Sequence, residues 1–474
     1  MLNFAPDLDP TTPEVFTDVV NLIPTQKGYT GSYTGVATSY PALAAACRNV
    51  AIVRKLDNTR RLFATTQTNI YEGSSGAWTA RAAGTPDIGS TARWALGQFG
   101  DYTLATAKTV NLQASTTGAF SAVSGAPKAT CLATGQGFVM LADYNDGSDV
   151  PDGWYCSGIY DHTVWTTSTT TQCTKGRLVD TPGPITGLSG YGSTFVAFKQ
   201  DSMYLANYVG APTVFQWQLI PGVVGCRSKD AITTAGQQIY FMGNDNFYTF
   251  DGSRPIPIGN PLREWFFKTE VNPAYLYLVV AAYDQPNQFI WFHYPSKNSQ
   301  TLDRALVYHI TTGRWGKVHL SVEAAANYIS DPVYIDDLGT YSATIDGFPD
   351  IAFDSPIWTN QSQVMSYVDT SHVLKTFTGN CDTSSFVTGS FGGEQFTTVK
   401  RVRPRFIIPP TSATLQHQYD NDYGDSWTNG PSSTLSDGKF DLLWSARWHR
   451  GQVSLVGPWE MISYTANIVK DGEE

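Results

Sequence analysis

Charge is scarce in this chain. Of its 474 residues only 15% are Asp, Glu, Lys or Arg, against about 25% in an ordinary globular protein. The charge present leans acidic, since 31 Lys and Arg stand against 41 Asp and Glu, a net −10. A protein that grips nucleic acid through its phosphates needs a cationic surface to release counterions. The acidic balance therefore argues against a sequence-independent DNA clamp, though not against a conduit past which DNA slides. Long runs of Leu, Glu, Ala and Lys, which would signal helices, are missing. No apolar run approaches the ~18 residues that cross a bilayer as a helix. The opening "MLNFAPDLDPTTPEVF" lacks the basic and apolar regions of a secretory signal, so a soluble chain with no membrane-spanning segment is expected. The six cysteines form no C-x-x-C pair and, with the seven histidines, no zinc-like spacing, so no metal is expected. They read as buried free thiols of a protein assembled in a reducing cytosol, with a Cys156–Cys173 pairing left open. P-loop and dinucleotide fingerprints are absent too, and no cofactor is expected.

What is abundant points one way. Aromatics reach 13%, with 42 Gly and 26 Pro, and Thr, Val, Tyr, Phe and Trp suit pleated, half-buried surfaces. From about Asn49 a cadence of short strand and tight turn sets in. "NVAIVRK" is followed by "RRLFATTQTNIYEGSSGAWTA", and the plan recurs through "GPITGLSGYGSTFVAFKQDSMYLANYVG" and "YLYLVVAAYDQPNQFIWFHY". In "IYFMGNDNFYTFDGSRPIPIG" the apolar pieces Ile239–Met242, Phe247–Phe250 and Ile256–Ile258 are parted by Gly, Asn and Asp, residues that tolerate turn geometry. Each unit covers roughly 35–50 residues and offers four strands, the size of a propeller blade. The expected fold is all-β: a β-propeller of about six or seven four-stranded blades over residues 49–379. Residues 1–48 read as an extended arm that latches the ring closed or reaches a neighbour. Longer alternating strands in 380–474 suggest a C-terminal β-sandwich-like domain; that some of them complete a last blade stays open. The unit from Ala324 to Gly379 is interrupted by loops such as "SDPVYIDDLGTYS".

Signs of bond chemistry are few. The seven histidines stand apart in sequence. "GLSGYG" places Gly187 and Ser189 as in a nucleophile elbow, but the fifth position is Tyr191 and no helix pattern follows. Asp161, Asp251 and Asp303 read as turn formers rather than catalytic acids. No catalytic residue is expected. "DNDYGDSWTNG" fits the D-x-G-x-x-W core of an Asp-box hairpin through Asp422, Gly424 and Trp427, a fold-stabilising device, with Asp420 where Ser or Thr is usual. "KRVRPRF" puts Arg401, Arg403 and Arg405 on one strand face. That row meets an acidic partner subunit or phosphate, or it is a solvated face with local carboxylates such as Glu394. The buried reading of the Trp in "ALVYHITTGRW" is a wedge between blades.

"GWYCSGIYDHTVWT", "LVDTPGPITGLSGYGSTFVAFKQDSMYLANYVGAPTVFQWQLIPGVVGC" and "IYFMGNDNFYTFDGSRPIPIG" resemble the propeller core of tail hub or nozzle proteins of short-tailed bacteriophages, also called packaged-DNA stabilisation proteins. "PDLDPTTPEVFTDVVNLIPTQKGY" is similar to the opening arm of that family, and "RVRPRF…YDNDYGDSW…WSARWHRGQVSLVG" to its terminal β-domain. The resemblance implies a structural virion protein of the tail, assembled in the host cytoplasm. It would form a ring, expected as a hexamer, below the portal and adaptor, contact fibres or spikes, and surround the channel through which genomic DNA leaves without sequence-specific binding. A carbohydrate-binding or carbohydrate-cleaving propeller acting in receptor recognition is the alternative, suggested by the Asp-box-like hairpin.

Overall fold

The computed structural model describes residues 2–12, 14–329, 363–379, 381, 383–422, 424 and 426–470. Among these the regular structure is almost wholly β-strand, with helical turns at Lys229–Ala231, Trp265–Glu270 and Pro273–Leu278. Four small antiparallel four-stranded sheets stand in a ring like propeller blades. One runs from Asn49–Arg54 to Ala77–Ala80, one from Ile185–Tyr191 to Val214–Leu219, and one from Ile232–Ala235 to Pro255–Pro257. The fourth joins Ala324–Ile329, Gln363–Val368, Leu374–Phe377 and Gly35–Ala37. An eight-stranded sheet from Ala95 to Arg177 consists of two meanders whose ladders meet at a single pair, Asn111 with Lys128. A large mixed sheet ends in the meander Val280–Asp284, Phe289–Tyr294, Arg304–His309 and Arg314–His319.

The local reasons are those of the sequence. Asn58 takes φ 65° between Asn49–Arg54 and Arg60–Thr65, and the Asp57 carboxylate accepts the Thr59 N–H at 2.9 Å to close that turn. In the stretch Ile239 to Gly259 the strands fall at Gln238–Met242, Phe247–Phe250 and Pro255–Pro257, within a residue of the apolar pieces. Ile239, Phe241, Met242, Phe247 and Phe250 are fully buried, each such side chain worth about 1.5–3 kcal/mol of burial. Both faces of these strands must be covered, so the units depend on one another. The first strands of the small sheets and of the meanders between them touch in succession. Asn49–Arg54 meets Ala95–Phe99, which meets Lys128–Gly135, which meets Ile185–Tyr191. Ile232–Ala235 meets Val280–Asp284, which meets Ala324–Ile329, and that strand returns to Asn49–Arg54. Trp315 wedges as expected: it is fully buried, its ring lies 5.0 Å from Phe247 in the preceding unit, and its indole N–H donates to Ile258 O at 3.1 Å.

The arm latches the ring. Ala37, Val36 and Gly35 pair with Lys375, Thr376 and Phe377, so the fourth small sheet is completed by residues more than three hundred positions away. The rest of the arm enters the large sheet. Val15–Val20 pairs with Ser384–Thr388, Tyr29–Gly31 with the start of Glu460–Lys470, and Leu22 with Lys317. In place of a separate sandwich after residue 379, the C-terminal strands and the arm share one mixed sheet. Tyr29 ties the layers: its hydroxyl donates to Trp315 O at 2.8 Å and accepts the Phe4 N–H at 2.9 Å, while Phe16 packs on Phe386 with centroids 4.5 Å apart. The loop "SDPVYIDDLGTYS" lies outside the described residues.

Candidate functional site

Phe391–Ile408 runs between Phe440–Val456 and Glu460–Lys470 as the spine of the C-terminal ribbon. A register shift between Val399 and Arg401 resets the alternation. Val402 and Pro404 then point inward and Arg401, Arg403 and Arg405 outward to solvent. The structure thus brings the three arginines onto one exposed face. Arg401 stands opposite Asp441 and Asn467, Arg403 opposite Thr465, and Arg405 opposite Ser463. The Arg401 Nε lies 3.6 Å from Asp441 Oδ1, and Lys439 Nζ 3.1 Å from Asp441 Oδ2. Pairs this exposed contribute at most about 1 kcal/mol. The local carboxylate is Asp441, not Glu394. Among the described residues Arg403 and Arg405 make no ion pair. At the far end of the same ribbon Phe396, Leu443, Trp444, Ile468 and Val469 are exposed, Leu443 at 75%. Beyond Met461 the outer edge of Glu460–Lys470 carries no further strand among the described residues. An unpaired edge beside apolar side chains is a template for pairing with another chain.

The hairpin between Ser412–Asp420 and Thr428–Thr434 is organised differently from its sequence reading. Among the described residues it is the Asp420 carboxylate that accepts the turn amides: Asp422 N–H at 2.9 Å, Gly424 N–H at 2.8 Å and Ser426 N–H at 3.1 Å. Asp422 is exposed. Gly424 takes φ 79° against the Trp448 ring, a conformation and a closeness that favour glycine. The Trp427 ring is half-buried, with the Arg450 guanidinium 4.3 Å from its centroid. The position expected to hold Ser or Thr takes the role assigned to the Asp two residues later.

Among the described residues, the side chains that the sequence singles out for bond chemistry stand apart. Ile185–Tyr191 is a strand paired with Thr194–Lys199, so Ser189 sits on no elbow, and its hydroxyl donates to Gly190 O. Asp161 accepts from Thr163, Asp251 from Ser253 and Asp303 from Ser296, each closing a turn. All six cysteines are buried and no disulfide joins any two of them. Burial pushes the Cys47, Cys131 and Cys226 thiols up to about 12, far from nucleophilic character. Among the described residues no three His, Cys, Asp or Glu gather as metal ligands.

A cavity of about 500 Å³ lies between the first strands Asn49–Arg54, Ala95–Phe99, Ile232–Ala235, Val280–Asp284 and Ala324–Ile329, with Arg93, Lys229 and Asp230 in its lining. Side chains span it. Lys229 Nζ donates to Arg93 O at 2.7 Å and to Thr130 O at 3.2 Å. The Arg93 guanidinium donates to Glu323 O at 2.9 Å and Arg48 O at 3.2 Å, with Asp230 3.9 Å away. These two cations tie together Arg48, Arg93, Thr130, Lys229 and Glu323, which stand in or just ahead of the first strands. Their positions just ahead of first strands carry no sequence signal that separates them from any surface Lys or Arg.

No family model matches the chain, and no curated protein sequence matches it. Among the described residues no helix is long and apolar enough to cross a membrane.

Proposed function

We propose that this chain is a structural component of a short bacteriophage tail, a nozzle or hub that assembles as a ring, expected as a hexamer, in the host cytoplasm. Each subunit is read as a seven-bladed propeller. The seven units are the four discrete sheets, the two halves of the eight-stranded sheet and the Val280–His319 meander, joined by the succession of first-strand contacts. The observation that carries the assembly reading is the C-terminal ribbon: an unpaired strand edge, exposed apolar side chains and an outward row of Arg401, Arg403 and Arg405 on a chain of net charge −10. Basic rows on acidic proteins suit heterologous, head-to-tail contacts, which close into rings. On this reading the DNA channel is formed by the subunits together, around the ring centre, and the Arg93 and Lys229 contacts to neighbouring units serve the subunit's own ring. A net negative lumen would keep phosphate from sticking. Portal and adaptor above and fibres or spikes beside are the partners this reading requires. The carbohydrate alternative rests on the Asp-box-like hairpin, where the half-buried Trp427 ring already has the Arg450 guanidinium 4.3 Å from its centroid.

The test is assembly. Purified chain, alone and mixed with portal–adaptor complex, is followed by sedimentation velocity and electron microscopy. Rings, or density added below the adaptor, are expected. A chain that stays monomeric at high concentration, and is absent from tails by immunogold labelling, would falsify the reading.

A further inference from the structure

A cavity of about 260 Å³ opens beside the starts of Ala95–Phe99, Lys128–Gly135 and Ile185–Tyr191, just ahead of Ile232–Ala235. Its lining carries four cations, Arg93, Lys108, Arg227 and Lys229, against two carboxylates, Asp143 and Asp230. On a chain of net charge −10 that local excess runs against the whole. The volume lies a little below the roughly 300–1,000 Å³ of pockets for drug-sized ligands, so an occupant is small. The local chain explains why two of the cations meet. Ser228 is extended, at φ −129° and ψ 128°, so Arg227 and Lys229 on either side of it project to the same side of the backbone. Ser228 itself turns inward: it is buried, and its hydroxyl donates to Val279 O at 3.0 Å.

Counter-charges are unevenly shared. Lys108 Nζ lies 2.5 Å from Asp143 Oδ1 and 2.5 Å from Asp149 Oδ1, and Arg93 Nε lies 3.9 Å from Asp230 Oδ2. Lys229 Nζ donates to Arg93 O and Thr130 O, which leaves one of its three donors unused. Arg227 donates through Nε to Asn244 Oδ1 at 2.7 Å, and the outer fork of its guanidinium is left over. Among the described residues neither Lys229 nor Arg227 makes an ion pair. Lys229 is half-buried and Arg227 exposed. Two carbonyls orient an ammonium but bring no net charge, and a charge drawn out of water is best met by one of opposite sign.

The class of ligand follows from the donors. The Lys229 ammonium and the Arg227 fork are joined in the lining by Thr91 and Tyr277, which carry hydroxyls and come from separate segments of chain. A carboxylate presents two oxygens in one plane. A tetrahedral phosphate presents its oxygens in separate directions: a guanidinium fork takes two of them, and an ammonium meets another as a point charge. A nucleic-acid strand needs a basic groove that tracks its backbone, which a cavity of this volume is not. We propose that this cavity binds a phosphate group, as the free ion or as a small phosphate monoester, held by Arg227 and Lys229. The site lies within one subunit and does not depend on ring assembly.

Isothermal titration of the full chain at low ionic strength tests it, with inorganic phosphate and glycerol phosphate as probes. Glycerol, acetate and a single-stranded oligonucleotide are the controls. Saturable binding of at least one phosphate probe is expected. Binding of inorganic phosphate alone assigns the free ion, and equal or tighter binding of glycerol phosphate assigns the monoester. Arg227→Gln removes an exposed charge and weakens that binding by about tenfold or more, the worth of a hydrogen bond to a charged group. Lys229→Gln, which keeps an N–H donor for the carbonyls but not the charge, weakens it in the same direction. Circular dichroism checks that each variant folds; if Lys229→Gln does not, Arg227→Gln decides alone. The proposal is overturned by the absence of saturable binding for both phosphate probes, by acetate or the oligonucleotide binding more tightly than either, or by phosphate affinity that Arg227→Gln leaves unchanged.

Discussion

His417 Nε2 lies 2.9 Å from His449 Nδ1, and His449 Nε2 lies 3.0 Å from Thr397 O. A carbonyl only accepts, so His449 carries its proton on Nε2 and His417 donates to its Nδ1. The chain of protons ends at His417 Nδ1, a buried acceptor with no partner among the described residues. Through this relay the strands Ser412–Asp420, Phe440–Val456 and Phe391–Ile408 are held together by neutral imidazoles.

Acid should loosen this sheet before carboxylates titrate. Burial first, and the His449 ring second, push the His417 pKa down to about 4, and burial pushes His293 down to about 3. Unfolded, both titrate near ~6.5. The folded state therefore binds fewer protons, and its advantage is complete above pH ~6.5 and lost progressively as pH falls toward about 4. Thermal midpoints measured across that window should fall steadily. His417→Gln, which keeps an N–H donor for His449 but does not titrate, should flatten part of the fall. A midpoint level down to pH ~4.5 contradicts the argument.

The threading of the arm makes a second prediction. A Cβ on Gly28 would lie 1.9 Å from Met461 O, a backbone atom that cannot turn aside. Gly28→Ala should cost roughly 1–3 kcal/mol or more and speed hydrogen exchange in Tyr29–Gly31 and at the start of Glu460–Lys470, which it pairs. Gly393, where a Cβ would meet nothing within 4 Å, is the control, and Gly393→Ala should stay within about 0.5 kcal/mol of wild type. Equal midpoints for the two variants would mean that the arm does not pass there.

How much of this was legible in the sequence divides along contact distance. The hairpin of Gln238–Met242 and Phe247–Phe250 is specified by its own residues, because period, turn chemistry and length all lie within a short stretch of chain. The all-β class and the ring of small sheets follow from repetition of that local rule. Pairing partners do not. Val36 meets Thr376 and Phe16 meets Thr388, and nothing in the arm's sequence names the strand it joins. The same holds for the merger of the arm with the C-terminal strands, where a sandwich was the expectation. At the candidate site, period two placed Arg401, Arg403 and Arg405 on one face, whereas Asp441 as the neighbour of Arg401 depends on register between strands far apart in the chain.

The arginine row yields a third prediction, which rests on the ring reading. Arg403 and Arg405 are exposed and make no ion pair among the described residues. Arg403→Glu with Arg405→Glu should leave the thermal midpoint within the roughly 0.5 kcal/mol range of surface changes while abolishing self-association in sedimentation velocity. Rings that form undiminished remove the row from the interface. A lowered midpoint would instead assign the arginines to the subunit's own stability.

The hairpin turn separates two neighbouring carboxylates. Asp420 accepts three backbone N–H groups, and without it those amides lose a charged acceptor in a turn that already holds Gly424 at φ 79°. Hydrogen bonds to a charged group contribute about 1.5–3 kcal/mol, so Asp420→Ala should destabilise the C-terminal sheet by roughly that amount. Asp420→Asn, which keeps an amide oxygen but not the charge, should lose less. Asp422 is exposed and stands at the Asp-box position by sequence alone, and Asp422→Ala should change stability by no more than about 0.5 kcal/mol. Chemical denaturation of the three variants, read by Trp fluorescence, ranks them. If Asp422→Ala proves the costlier, the turn follows the sequence motif and the carboxylate roles described for Asp420 are wrong.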